Sequence, residues 1–118
     1  MSYDNTNIFA RILRGEIPNN TVYEDAHVLA FKDIQPQRPV HVLVIPKGAY
    51  VSAQDFGARA SEAEIAAMAR AISKITQELG IAESGYRLIA NTGGHGHQEV
   101  PHYHVHILGG QPIGKMVH

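Results

Sequence analysis

The stretch His102-Tyr103-His104-Val105-His106-Ile107 alternates without a break between imidazole and apolar or aromatic side chains, and Leu108-Gly109-Gly110 ends it. In an extended strand, successive side chains point to opposite faces. His102, His104 and His106 therefore share one face, while Tyr103, Val105 and Ile107 turn toward apolar packing. Two rises of about 3.3 Å set neighbouring imidazoles roughly 6.5–7 Å apart, so a single phosphate group can touch more than one ring. The pattern predicts a strand over 102–108 that carries chemistry on one face.

Working outward, Tyr86 to Asn91 reads as the strand before it, with the flexible loop Gly93-Gly94-His95-Gly96-His97 between. Ser61 to Leu79 is the clearest helix. Ser61 and Glu64 make a capping box, and Ile65, Met68, Ile72, Ile75 and Leu79 step three or four residues apart. Gly80 suits the position just past its end. Val40 to Ile45 is an almost continuous apolar run closed by Pro46, which predicts a central strand covered on both faces. Thr21 to Glu24 and Val28 to Lys32 read as a hairpin joined at Asp25-Ala26-His27. Asn7 to Arg14 is a short first helix, with Ile8, Phe9, Ile12 and Leu13 on one face and Gly15 as its stop. The order is helix, three strands, helix, two strands. The short connections exclude most parallel crossovers. The expected class is α+β, a mostly antiparallel five-stranded sheet with one short N-terminal helix and one long helix on a face.

The chain has 118 residues, a formal net charge of -1 and no cysteine. That length suits one domain over 1–118, with a core from about 5 to 110 and a short tail, 111–118. No long basic run points to a nucleic-acid surface. A disulfide framework and any thiolate zinc site are excluded. The polar start Met1-Ser2-Tyr3-Asp4-Asn5 carries no secretory pattern, and the apolar run Val42-Leu43-Val44-Ile45 is far short of a membrane span. A cytoplasmic protein without membrane or nucleic-acid partners is expected.

Eight histidines are present, five of them (His95, His97, His102, His104, His106) between positions 95 and 106. His95 and His97 read as solvated loop residues at the rim of a site. Three same-face imidazoles fit two chemistries. One is metal ligation, with Glu99, Asp33 or His41 as a further ligand. The other is attack on phosphorus by a neutral imidazole, whose far ring nitrogen is held protonated while a second histidine stabilises phosphoryl oxygens or protonates the leaving group.

The segment from His102 to Leu108 matches the motif His-φ-His-φ-His-φ-φ, with φ hydrophobic, at all seven positions. On this motif the chain resembles the histidine triad (HIT) family. Asn7-Ile8-Phe9, Gly15-Glu16-Ile17-Pro18, Phe31-Lys32-Asp33-Ile34, His41 to Lys47, Asn91 and Gln98-Glu99-Val100 extend the resemblance to the branch of nucleotide-binding proteins called Hint, over about residues 5 to 112. The resemblance implies a HIT-like fold and a nucleoside phosphoramidase or nucleotidyl hydrolase. Such an enzyme cleaves purine nucleoside 5′-monophosphate derivatives through a covalent nucleotidyl-histidine. It implies His104 as nucleophile, His102 in a relay with His41, His106 on the phosphate and bridging atom, and Asn91 on a phosphate oxygen or the leaving group. Asp33 would accept from both ribose hydroxyls. Ile8, Phe9, Ile12, Phe31 and Ile34 would form the base slot, flanked by Lys32, with Glu99 on the leaving-group side. It further implies an AMP-like purine nucleotide ligand, a homodimer, no cofactor and no required metal. Without the resemblance, the apolar five read as core, Asp33 as a turn residue and His41 as a buried structural histidine.

The chain also departs from the Hint pattern. Glu99 stands where animal relatives carry serine, His97 where glycine is usual, and Ala49 where some relatives have another histidine; the tail lacks tryptophan. The competing functions are a non-catalytic nucleotide-binding regulatory module, a dinucleoside polyphosphate hydrolase and a metal-dependent hydrolase using the three histidines.

Overall fold

The computed structural model describes residues 2–117. Eight elements follow in chain order: α1 (Ile8–Leu13), β1 (Thr21–Glu24), β2 (Val28–Lys32), β3 (Val40–Pro46), α2 (Ala53–Arg59), α3 (Glu62–Glu78), β4 (Arg87–Ile89) and β5 (Val105–Gly109). The strands form one antiparallel sheet in the order β1-β2-β3-β5-β4. β3 sits at its centre, as its apolar run requires, and every residue of it except Val40 is buried.

Alternation along the strands divides the sheet into two unlike faces. Val28, Ala30, Val42, Val44, Val105 and Ile107 pack with Met68, Ala71 and Ile75 of α3 and with Phe56 of α2. On the opposite face, Leu29, Phe31, Leu43 and Ile45 pack with Phe9 and Ile12 of α1. The long helix thus anchors one side, and α1 covers only part of the other. That partial cover leaves room for the histidines.

The helix ends follow from local chemistry. Ser61 Oγ accepts from the Glu64 N–H while the Glu64 carboxylate accepts from the Ser61 N–H, completing the capping box. At the other end Gly80 takes φ 73°, and the N–H groups of Gly80 and Ile81 bond back to Gln77 O and Thr76 O, a Schellman motif. Asn7 caps α1 by accepting from the Ala10 N–H at 2.9 Å.

Four expectations need correction. A second short helix, α2, follows β3; its cap Ser52 and the Asp55–Arg59 pair one turn apart are visible in the sequence only as an isolated polar pattern. β4 is shorter than 86–91. β5 begins at Val105 rather than His102. Extending the register Val44↔Val105 would set Tyr103 opposite Pro46, which has no N–H to give. The Tyr103 N–H bonds instead to Tyr50 O at 2.7 Å, and the Pro46 carbonyl is taken by the His102 ring. Residues 102–104 stay outside the ladder, yet the alternation of faces persists through them. Ile65, read as part of the α3 stripe, is 43% exposed.

Ile75 is fully buried where α3 meets the sheet. Ile75→Ala is expected to lower unfolding free energy by about 2–5 kcal/mol in urea titration, at unchanged denaturant slope. A loss below about 1 kcal/mol would mean that α3 does not anchor the sheet.

Candidate active site

Two strands and one ladder end bring the histidines together. The register Leu43↔His106 places His41 diagonal to His106 on the same face, within reach of a long side chain. His41 Nε2 and His106 Nδ1 lie 2.9 Å apart. The His104 and His106 rings stand 5.0 Å apart between centroids, closer than the strand rise predicts because the rings lean together. Phe9 of α1 packs edge-on against His104 at 5.0 Å and against Phe31 at 5.6 Å.

The expected relay is therefore corrected in its pairing. His41 meets His106, not His102. His102 lies past the end of the ladder, fully buried, and its two ring nitrogens are taken by the Pro46 carbonyl and the Tyr3 hydroxyl.

The partners fix every tautomer, because a carbonyl only accepts and a backbone N–H only donates. His104 Nδ1 lies 2.7 Å from His102 O, so it carries the proton and Nε2 keeps a bare lone pair. His102 Nε2 donates to Pro46 O at 2.9 Å, so its Nδ1 accepts from Tyr3 Oη, which in turn accepts from Asn7 Nδ2 at 2.9 Å. The Gln37 N–H donates to His41 Nδ1 at 3.0 Å. Neutral His41 then bears its proton on Nε2 and donates it to His106 Nδ1. His106 is left with its proton on Nε2. The site thus offers one bare nitrogen, on His104, and one N–H donor, on His106.

Burial favours these neutral forms. It pushes His104 and His41 below the ordinary histidine value, and pushes His102 and His106 down to about 4. For His41 the neighbouring Asp33 carboxylate opposes the shift without cancelling it. No cationic imidazole stands ready in the free site.

The other predicted residues are placed unequally. Asp33 follows β2, with Oδ2 3.4 Å from His41 Nε2 and Oδ1 accepting from the Gln35 N–H. Phe9, Ile12 and Phe31 are buried, whereas Ile8 is 42% and Ile34 85% exposed. Lys32 is exposed at the end of β2. Asn91 is half-buried just past β4. Continuing the register Ile89↔His106 brings it level with His104 on the histidine face. Glu99 is exposed and pairs with His97 at 3.1 Å. Tyr3, which bonds the second nitrogen of His102, and the Gln37 backbone, which sets the tautomer of His41, carry no signal in the sequence.

The ligand atoms of Asp33, His41 and His106 lie within 4.8 Å of one another, close enough to consider a metal. The hydrogen bonding does not fit one. A neutral histidine binding metal through Nε2 carries its proton on Nδ1, and the Gln37 N–H already points at His41 Nδ1. Ligation by the three triad histidines together fails on His102, whose nitrogens are both occupied.

A family model described as HIT domain matches residues 14–113. A purine nucleoside phosphoramidase of Escherichia coli is 48% identical over 110 residues, covering 93% of this chain and 92% of its own. A HIT-like protein of Azospirillum brasilense is 55% identical over 116 residues, covering 98% and 95%. The structure of a histidine triad protein from Clostridium difficile superposes with a TM-score of 0.85 at 40% identity, covering 97% of this chain and 98% of that one. With the triad, the five-stranded sheet and these similarities together, the chain belongs to the HIT domain family.

Proposed function

We propose that this chain is a nucleoside phosphoramidase, a single HIT domain that cleaves purine nucleoside 5′-monophosphate derivatives by way of a nucleotide held on His104. The observation that carries the reading is the fixed tautomer of His104. Its Nδ1–H is held by the His102 carbonyl, which leaves the Nε2 lone pair free to attack. The 48% identity to a purine nucleoside phosphoramidase supports the substrate class.

In this scheme the His104 Nε2 lone pair forms a bond to phosphorus as the bond from phosphorus to the leaving amine breaks. The amine departs with that electron pair and takes up a proton. The adduct ring is cationic, with its Nδ1–H still donating to the His102 carbonyl, now a charge-assisted bond. The Nε2–H of His106 donates to a phosphoryl oxygen as charge builds there. Water then displaces His104 from phosphorus and releases the proton that the amine consumed. The His41–His106 contact keeps the His106 donor pointed outward. Asp33 accepts from the ribose hydroxyls, and Asn91 orients a phosphate oxygen. Phe9, Ile12 and Phe31 form the floor of the base slot, with Ile8 and Ile34 at its margin and Lys32 beside it. No metal enters any step.

The same reading includes a homodimer. β4 is an edge strand, and Tyr86 and Leu88 beside and on it are exposed. Arg87 holds the tail by donating to Gly114 O and Lys115 O at 2.7 and 2.9 Å. An unpaired edge of this kind invites a second copy across a two-fold axis.

Single-turnover mixing with an adenosine phosphoramidate, followed by intact mass measured without acid, is expected to show a transient adenylyl gain in the wild type. His104→Ala is expected to show none while still binding nucleotide. Turnover retained in His104→Ala would remove His104 as nucleophile, and binding without turnover in the wild type would favour the regulatory module. The pH dependence of kcat/KM gives a separate check. Protonation fills the Nε2 lone pair, so activity is lost as pH falls through the depressed value of His104. The rate is expected to hold level from pH 6.5 to 8, with its acid midpoint below about 6.5. A midpoint above that value would count against a desolvated His104 as the attacking group.

A further inference from the structure

The loop that carries Glu99 reaches the site from the side opposite the ribose acceptor. β5 lies between β3 and β4 in the sheet. Asp33 is on the β2–β3 side, tied there by its N–H to His41 O at 3.0 Å. Residues 92–101 arrive from β4, on the other side of β5. The Gln98 side chain pins this loop. Its Nε2 donates to Val51 O at 2.6 Å and to Val100 O at 3.0 Å, and its Oε1 accepts from the Gly93 N–H at 3.1 Å. The backbone of Glu99 is thus held between fixed neighbours.

Its carboxylate is free by comparison. The Glu99 side chain is 76% exposed, and His97, its partner at 3.1 Å, is 86% exposed. A contact this exposed contributes little, so a cation can take the place of the imidazole. The side-chain charges whose fields reach His104 are the Asp33 and Glu99 carboxylates, and both also act on His106, beside the neighbouring rings of His104 and His41. With the ribose on Asp33 and phosphorus at His104, the leaving group extends toward the Glu99 side.

We infer that Glu99 selects the charge of the leaving group, so that the favoured substrates are nucleoside 5′-phosphoramidates whose departing amine carries a second, positively charged group. Anionic leaving groups, a second nucleotide among them, are disfavoured. The inference rests on the phosphoramidase reading and narrows its substrate class.

The test uses three adenosine 5′-phosphoramidates of similar size, built on 1,2-diaminoethane (cationic), propylamine (neutral) and β-alanine (anionic). In the wild type, kcat/KM is expected to fall in that order, with about five- to tenfold between cation and neutral, as one partly screened charge pair provides. High salt should compress the series. In Glu99→Gln the ratio of cationic to anionic substrate should fall close to one. A wild type indifferent to charge, or a series unchanged by Glu99→Gln, would overturn the inference. Binding of the same compounds to His104→Ala, by calorimetry, separates this from failure of the underlying reading. If the wild type cleaves none of them, the phosphoramidase reading fails. A charge order in binding that Glu99→Gln abolishes would even then support Glu99 as the selector, and no such order would overturn it.

Discussion

The hydrogen bond from His104 Nδ1 to the His102 carbonyl, 2.7 Å long, fixes which nitrogen of a buried ring is free. A carbonyl cannot donate, so the bond holds only for the tautomer with a bare Nε2. For that carbonyl to keep its place, His102 itself must not move. Its ring is fully buried and tied to β3 through Pro46 O and to the N-terminal segment through Tyr3, which Asn7 holds in turn. Asn7 is also the cap of α1, and the next residue but one, Phe9, packs on His104. Tyr3, Asn7, Phe9 and the end of β3 thus converge on the orientation of one imidazole.

Pro46 has an unusual part in this. It ends the β3–β5 ladder by lacking an N–H, and it supplies the carbonyl that receives the His102 ring. Outside the ladder, the His102 carbonyl is available to a side chain two residues on. His106, inside the ladder, has a different kind of support. Its orientation comes from His41 across the register, and the tautomer of His41 comes from a backbone N–H in the loop of two prolines, Pro36 and Pro39. The two working rings are thus set by independent chains of hydrogen bonds.

How much of this is legible in the sequence depends on the range of each interaction. The alternation at 102–107 is local, and it assigns the three imidazoles to one face even though only one of them lies in the ladder. The α3 caps are local too and were readable from Ser61, Glu64 and Gly80. The start of β5 was not, because Pro46 acts on it from a different strand. The His41–His106 pairing needs the sheet register, which no residue pattern states. Tyr3 and His102 are 99 positions apart, and a backbone donor such as Gln37 leaves no mark on composition. α2 was missed because its seven residues are too few to build a recognisable stripe. Family resemblance supplied which residues take part, and the three-dimensional contacts supplied which of them touch.

The electrostatic character of the site follows from the same burial. Neutral imidazoles between two carboxylates are an odd receptacle for an anionic phosphate if fixed charge is the only means of holding one. They make sense if the phosphate is met by donors instead. The N–H of His106 can bond a phosphoryl oxygen without charge, and the incoming anion itself raises the proton affinity of nearby rings. A site with fixed cations would bind ground-state phosphate and any polyphosphate alike, and such uniform binding does not accelerate the chemical step. In the proposed reaction, a site that starts neutral reserves its strongest interactions for the moment at which the His104 ring becomes cationic, facing the His102 carbonyl and the fields of Asp33 and Glu99. On that proposal, the carboxylates that are unhelpful to the resting phosphate would stabilise the charge that forms on His104.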